Sequence, residues 1–257
     1  MRNVAAADLE VLTLGGGPPV VLVHGSIVGP DRTFRAQEPL ASQWGLRMPF
    51  RPGFGASPAL RRGDFEPEAP LIAELLGEGA HLVGHSYGGV VALLAAALRP
   101  EAVWSLTVSE PGAFGIGRGT TLIDELIANG DELYRRREEI GPVNFLKFFR
   151  EGVDSAHETP DELPDWLARG VDHVMSERPS WEAVIPLDVL AAASFPKLVI
   201  SGDHSPAFEL LCDMLATGIG ARREVIRGRG HTIPTAGAPY NDLLHDFFIA
   251  AGNGTAA

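Results

Sequence analysis

One cysteine, Cys212, stands alone in 257 residues, which excludes an intramolecular disulfide framework and a cysteine-rich zinc site. Basic residues are also scarce: 21 Lys and Arg face 33 Asp and Glu, a net charge of −12. A surface that tracks nucleic-acid phosphates needs the opposite balance, as does one that adheres to anionic lipid. Neither a nucleic-acid nor a membrane partner is therefore expected. No apolar run approaches the ~18 residues that cross a bilayer. Met1–Glu10 has one arginine and no apolar stretch behind it, so no signal peptide is expected and the location is read as cytoplasmic. What is present is ordinary for a globular protein: 45% hydrophobic and 21% charged residues, in a chain long enough to bury a large core.

Short apolar runs alternate with longer helix-like segments through the first third. Asp8–Leu14, Pro19–His24, Gly45–Phe50, Ala80–His85 and Ala102–Ser109 read as strands. Val20–Val23 is uninterruptedly apolar, as in a strand buried on both faces. Asp31–Trp44, Phe65–Leu76 and Val90–Leu98 read as the intervening helices. This alternation predicts parallel βαβ units and an α/β sheet flanked by helices. From Gly112 to Leu190 the pattern holds only helix-like segments, around Thr121–Asn129, Glu132–Ile140, Val143–Glu151 and Asp161–Met175. Alternation returns with Lys197–Ser201, Pro206–Ala216, Arg223–Arg227 and Pro239–Ala250. The expected organisation is a sheet core of residues 1–111 and 191–257, interrupted by a helical cap, 112–190, far longer than an ordinary connection.

Three segments can carry chemistry. Gly84-His85-Ser86-Tyr87-Gly88 lies between a predicted strand and a predicted helix. That context projects Ser86 above the sheet, at the positive end of the helix. Val23-His24-Gly25-Ser26 closes an earlier strand and can offer the Ser26 amide to a developing oxyanion, beside the amide of Tyr87. The ring of His24 reads as a loop-holding group. Gly230-His231 follows the last strand, where a histidine can reach back over the carboxyl edge of the sheet as general base.

With these segments in view, the chain from Pro19 to Phe248 resembles the α/β-hydrolase-fold proteins that carry a cap. The resemblance also rests on Arg51-Pro52-Gly53-Phe54-Gly55-Ala56-Ser57, before which Phe50 stands where the family usually has an aspartate. It implies a triad in the order Ser…acid…His, an oxyanion hole of backbone amides, no cofactor and no metal. The family's usual acid position falls in Gly202-Asp203-His204-Ser205-Pro206, with a serine at the customary place. Some relatives take the acid from the end of the strand before the cap, which is Glu110 here. Glu110 is preferred, with Asp203 the alternative.

A serine nucleophile forms an acyl-enzyme, whereas epoxide and haloalkane chemistry in this fold needs a carboxylate. Hydrolysis of an ester, lactone or thioester of a small apolar substrate is the expected activity. Carbon–carbon hydrolysis and perhydrolysis are the alternatives within enzymes, and a non-catalytic small-molecule receptor is the alternative of another class. Ile27, Phe145, Phe149 and Trp181 are the candidate substrate contacts. Cys212 reads as a core residue. A monomer or homodimer is expected. Residues 112–190 carry 16 acidic and 8 basic residues, so −8 of the −12 lies on the element expected to guard the site.

Overall fold

The computed structural model describes residues 4–153 and 158–252. Seven strands form one sheet: β1 Val11–Leu14, β2 Pro19–Val23, β3 Gly45–Pro49, β4 Ala80–His85, β5 Val103–Ser109, β6 Lys197–Ser201 and β7 Arg222–Val225. Their order is β1-β3-β2-β4-β5-β6-β7, with β1 antiparallel to β3 and every other pair parallel. The predicted mostly parallel α/β architecture is what is found. The helices are α1 Pro30–Thr33, α2 Phe65–Leu75, α3 Tyr87–Leu98, α4 Thr121–Arg135, α5 Arg137–Gly152, α6 Asp165–Ser176, α7 Leu187–Ala192, α8 Pro206–Ile219 and α9 Ala238–Ala251.

Burial explains the central strands. Val20, Val21, Leu22 and Val23 are all fully buried, because β2 is covered by helices on both faces. One apolar cluster packs Val21, Val23 and Leu82 against α2 and α3; the other packs Val20, Leu22 and Val83 against α9. Helix α3 is apolar on nearly all sides, as its place between the sheet and α2 requires. Asp64 starts α2 by accepting from the Glu66 amide at 3.1 Å.

Several expected elements differ in extent. The helix expected over Asp31–Trp44 divides into α1 and a run of 3-10 turns, Arg35–Ser42, with Pro39 inside it. Pro39 has no N–H to donate and its ring crowds the preceding turn. Strand β1 starts at Val11 rather than Asp8, because Ala6–Asp8 forms a 3-10 turn closed by Asp8 Oδ2 on the Ala5 amide. Two helices expected over Thr121–Ile140 become a single α4 to Arg135; α5, which follows, is broken at Gly141, whose φ of 73° is non-helical and precedes Pro142, so a break does fall between Ile140 and Val143.

Between β5 and β6 no strand occurs among the described residues. Helices α4 to α6 share an apolar core with Phe208 and Leu211 of α8. Ala183, Ile185 and Leu190 instead join the core around α3, so packing onto the sheet side begins before residue 191. No helix among the described residues is long and apolar enough to cross a membrane.

The non-glycine residues with positive φ among the described residues are Ile27, Ser86, Glu110 and Asp203, at 74°, 55°, 43° and 53°. All four lie in the segments that follow the carboxyl ends of β2, β4, β5 and β6.

Candidate active site

Ser86 is the single residue between β4 and α3, held at φ 55°, ψ −123°. A serine there is strained by about 1–3 kcal/mol, and persists only because its surroundings fix it. Those surroundings are tight. A Cβ on Gly88 would lie 2.3 Å from the Val23 and His24 carbonyl oxygens, and one on Gly84 2.5 Å from the Gly88 carbonyl oxygen. The Ser86 amide donates to the Ser109 carbonyl at 3.0 Å, and the Gly112 amide donates to the Ser86 carbonyl at 3.2 Å. The two ties hold Ser86 to the residues on either side of Glu110, the last of β5 and one in the loop beyond it.

Ser86 Oγ lies 2.9 Å from His231 Nε2, and His231 Nδ1 lies 2.8 Å from Glu110 Oε2. Glu110 can only accept when ionised, so Nδ1 carries the imidazole proton and Nε2 is left to accept from the serine hydroxyl. Glu110 is fully buried, and its Oε1 accepts from the Gly202 amide at 2.7 Å. Burial alone would raise its pKa. Hydrogen bonds from His204 and His231 outweigh that and hold the carboxyl down to about 2. The ring of Phe208 sits 4.8 Å from that of His231, and the His231 carbonyl accepts from His85 Nε2 at 2.8 Å. His85 stays neutral because burial lowers its pKa to about 3.

Asp203 takes another course. Its exposed carboxylate pairs with Arg227 Nε at 2.6 Å, and only Glu110 reaches His231. His204 was not anticipated as part of the site: its Nδ1 stands 3.2 Å from Glu110 Oε1, and its Nε2 is 3.2 Å from the Val153 carbonyl. Glu110, His204 and His231 offer donor atoms within 4.8 Å of one another, a set able to hold a metal ion. The 2.8 Å separation of Nδ1 and Oε2 is a hydrogen-bond length.

Ser86 opens into two cavities, of about 640 and 290 Å³. Ser26 and Tyr87 line the larger one beside Ser86. Among the described residues neither the Ser26 nor the Tyr87 amide meets an acceptor, so both N–H groups are available to a ligand. Trp181 lines the larger cavity and Ile27 the smaller, whereas Phe149 lines both. Phe145 is a correction. It is fully buried in the core shared by α4 to α6, edge-on to Tyr134, and lines neither cavity. The larger cavity is also lined by Glu125, Glu132, Glu151 and Arg136, the smaller by Arg32 and Arg150.

The Gly25–Ser26 segment is fixed by a buried polar cluster that the sequence did not disclose. The Arg51 amide donates to His24 Nε2 at 3.0 Å, so the neutral His24 ring uses Nδ1–H to donate to the Gly25 carbonyl at 2.8 Å. Burial holds His24 well below the usual imidazole range. Arg51 Nη1 donates to the same carbonyl at 3.0 Å, and its guanidinium pairs with Glu68 and Glu177, each at 2.7 Å. The arginine also lies 4.2 Å from the centre of the Tyr87 ring. Cys212 is buried in the core, and burial raises its thiol pKa.

Comparison with known proteins agrees with this architecture. Residues 20–243 match the model of the alpha/beta hydrolase family. A pimeloyl-[acyl-carrier protein] methyl ester esterase of Chromobacterium violaceum is 41% identical over 101 residues, 39% of this chain and 40% of that protein. Its namesake from Methylococcus capsulatus is 32% identical over 181 residues, 66% of this chain and 65% of that protein. The chain thus aligns with less than two thirds of either relative. A solved alpha/beta hydrolase from Sphaerobacter thermophilus is 26% identical with a TM-score of 0.70, covering 96% of this chain and 100% of that one. The sheet order, the sharp turn at Ser86 and the family match over most of the length lead to one conclusion: the chain belongs to the alpha/beta hydrolase family.

Proposed function

We propose that this chain hydrolyses a carboxylic ester, lactone or thioester of a small, largely apolar substrate through an acyl-enzyme on Ser86. The observation that carries the reading is the hydrogen-bonded chain Ser86–His231–Glu110, open to a cavity of about 640 Å³. The names of the aligned relatives, methyl ester esterases, support the ester class.

Ser86 Oγ attacks the carbonyl carbon while His231 Nε2 takes its proton. The amides of Ser26 and Tyr87 hold the oxyanion. Collapse expels the alcohol or thiol, which receives that proton from His231. Water then loses a proton to His231 and attacks the acyl carbon; release of the acid returns the proton to Ser86. Glu110 keeps Nδ1 protonated and stabilises the imidazolium at both stages. Residues 112–190 act as a cap, with Phe149 and Trp181 shaping the substrate pocket and Ile27 the smaller one.

The test is turnover of p-nitrophenyl acetate and butyrate, with fluorophosphonate labelling of the chain and of its Ser86→Ala variant. Labelling and hydrolysis that both vanish in the variant are expected. An unlabelled parent that turns over no ester, thioester or lactone would point to a receptor. Cleavage of a vinylogous diketone in preference to every ester would point to carbon–carbon hydrolysis.

A further inference from the structure

Glu177 lies directly after α6, within residues 112–190, yet it reaches the loop that carries the Ser26 amide. Ser26 Oγ donates to Glu177 Oε2 at 2.6 Å. The other oxygen, Oε1, accepts from Arg51 Nη2 at 2.7 Å. Both charged side chains are fully buried. Burial alone would raise the Glu177 pKa, but Arg51, His173 and Ser26 overcome it and hold the carboxyl at about 2.

The peptide between Gly25 and Ser26 explains why this matters. A trans peptide points its C=O and N–H in opposite directions. The Gly25 carbonyl is gripped by His24 Nδ1–H and by Arg51, at 2.8 and 3.0 Å. That grip turns the Ser26 N–H the other way. Glu177 completes the hold, fixing Arg51 on one side and the Ser26 hydroxyl on the other. The next residue, Ile27, is β-branched and sits at φ 74°, a conformation that relaxes unless something restrains it. Helix α6 supplies a second restraint. A Cβ on Gly170 would lie 1.8 Å from the Ile27 carbonyl oxygen, so the helix backbone lies directly against the loop.

We infer that Glu177 is a positioning residue for the oxyanion hole, so that the inserted helical segment builds part of the reaction centre as well as roofing it. The inference rests on the ester-hydrolase reading above. Glu177 touches no reacting atom. It acts through Ser26 and Arg51 by holding one donor where negative charge develops, and displacing such a donor by about 1 Å costs on the order of 100-fold in rate.

The experiment compares the parent with Glu177→Ala, Glu177→Gln and Ser26→Ala. It measures kcat and KM on p-nitrophenyl butyrate and inhibition by an alkyl trifluoromethyl ketone, whose hydrated or serine-bound oxyanion needs the same donors. Glu177→Ala is expected to lower kcat about 10- to 100-fold with KM within about threefold, and to weaken the ketone in proportion. Glu177→Gln keeps an oxygen for the Ser26 hydroxyl and should fall between parent and alanine. Ser26→Ala removes only the hydroxyl and leaves the amide and the ion pairs. It should lose about tenfold in kcat while the melting temperature falls by only a few degrees, the cost of one lost hydrogen bond, and it carries the test if Glu177→Ala does not fold. Variants that keep the parent's kcat and ketone affinity overturn the inference while the ester reading stands. A parent inert to every ester overturns the ester reading, and this inference with it.

Discussion

Replacing Glu110 with glutamine changes one buried oxygen to an NH2 group, and the surroundings decide which one. The Gly202 amide donates to Oε1 at 2.7 Å, while Oε2 faces His231 Nδ1 at 2.8 Å. A main-chain N–H cannot become an acceptor, so the glutamine carbonyl must occupy the Oε1 position. Its NH2 then points at His231 Nδ1 and donates. The ring responds by carrying its proton on Nε2, opposite Ser86 Oγ, where a base is required. Loss of the buried negative charge removes the stabilisation of the imidazolium as well. The equivalent change in a Ser-His-Asp triad lowers kcat by about 10⁴. A loss of about 10³- to 10⁴-fold is expected here, or about 4–5.5 kcal/mol of transition-state stabilisation. Stopped-flow release of p-nitrophenol from p-nitrophenyl butyrate measures it, with circular dichroism to establish that the variant is folded. Asp203→Asn, which alters only an exposed pair with Arg227, should stay within about twofold of the parent. A folded Glu110→Gln enzyme within tenfold of the parent would refute the argument.

Three further outcomes follow from the same geometry. Gly170→Ala should cost at least 1–3 kcal/mol in urea unfolding and lower kcat, because its Cβ would meet the Ile27 carbonyl at 1.8 Å; an unaffected midpoint would mean that α6 does not press on that loop. The Glu110 carboxyl ionises at about 2 in the folded chain, below the ordinary 4.5. The stabilisation this confers is fully present above about pH 4.5 and is lost as pH falls toward 2, so the parent's advantage over Glu110→Gln in unfolding free energy should shrink across that window; a constant gap would contradict the assignment. With Glu125, Glu132 and Glu151 lining the larger cavity, neutral or cationic esters should outpace succinyl esters at low salt, and the gap should narrow near 0.5 M NaCl; a preference for succinyl esters that survives high salt would exclude such steering.

What the sequence disclosed divides along local and distant causes. The Ser86 turn was legible because its determinants, Gly84 and Gly88, flank it within four positions, between an apolar run and a helix. His231 was legible by its place after the last strand and Glu110 through the resemblance to capped relatives, and the sheet brings the two to hydrogen-bond distance. The Arg51–Glu177 pair was not, because 126 residues separate its members and neither has a local pattern that betrays a partner. Phe145 and Phe149 were indistinguishable in sequence. They are one helical turn apart on α5 and stack at 6.0 Å, yet the rotation of the helix buries the first and turns the second toward both cavities. The helix expected over Asp31–Trp44 failed for a reason visible in hindsight, since Pro39 stands in its middle.

The four non-glycine residues at positive φ follow four of the parallel strands, and three of them belong to the proposed reaction centre. Glycine would relax any of these positions, and relaxation of Ser86, Glu110 or Ile27 would dissolve the arrangement it relieves. Asp203 carries the same conformation between Gly202 and His204, both of which meet Glu110, so even there a glycine would loosen the support of the acid. For anyone engineering thermal tolerance into this scaffold, the carboxyl edge of the sheet is therefore a region to leave tense.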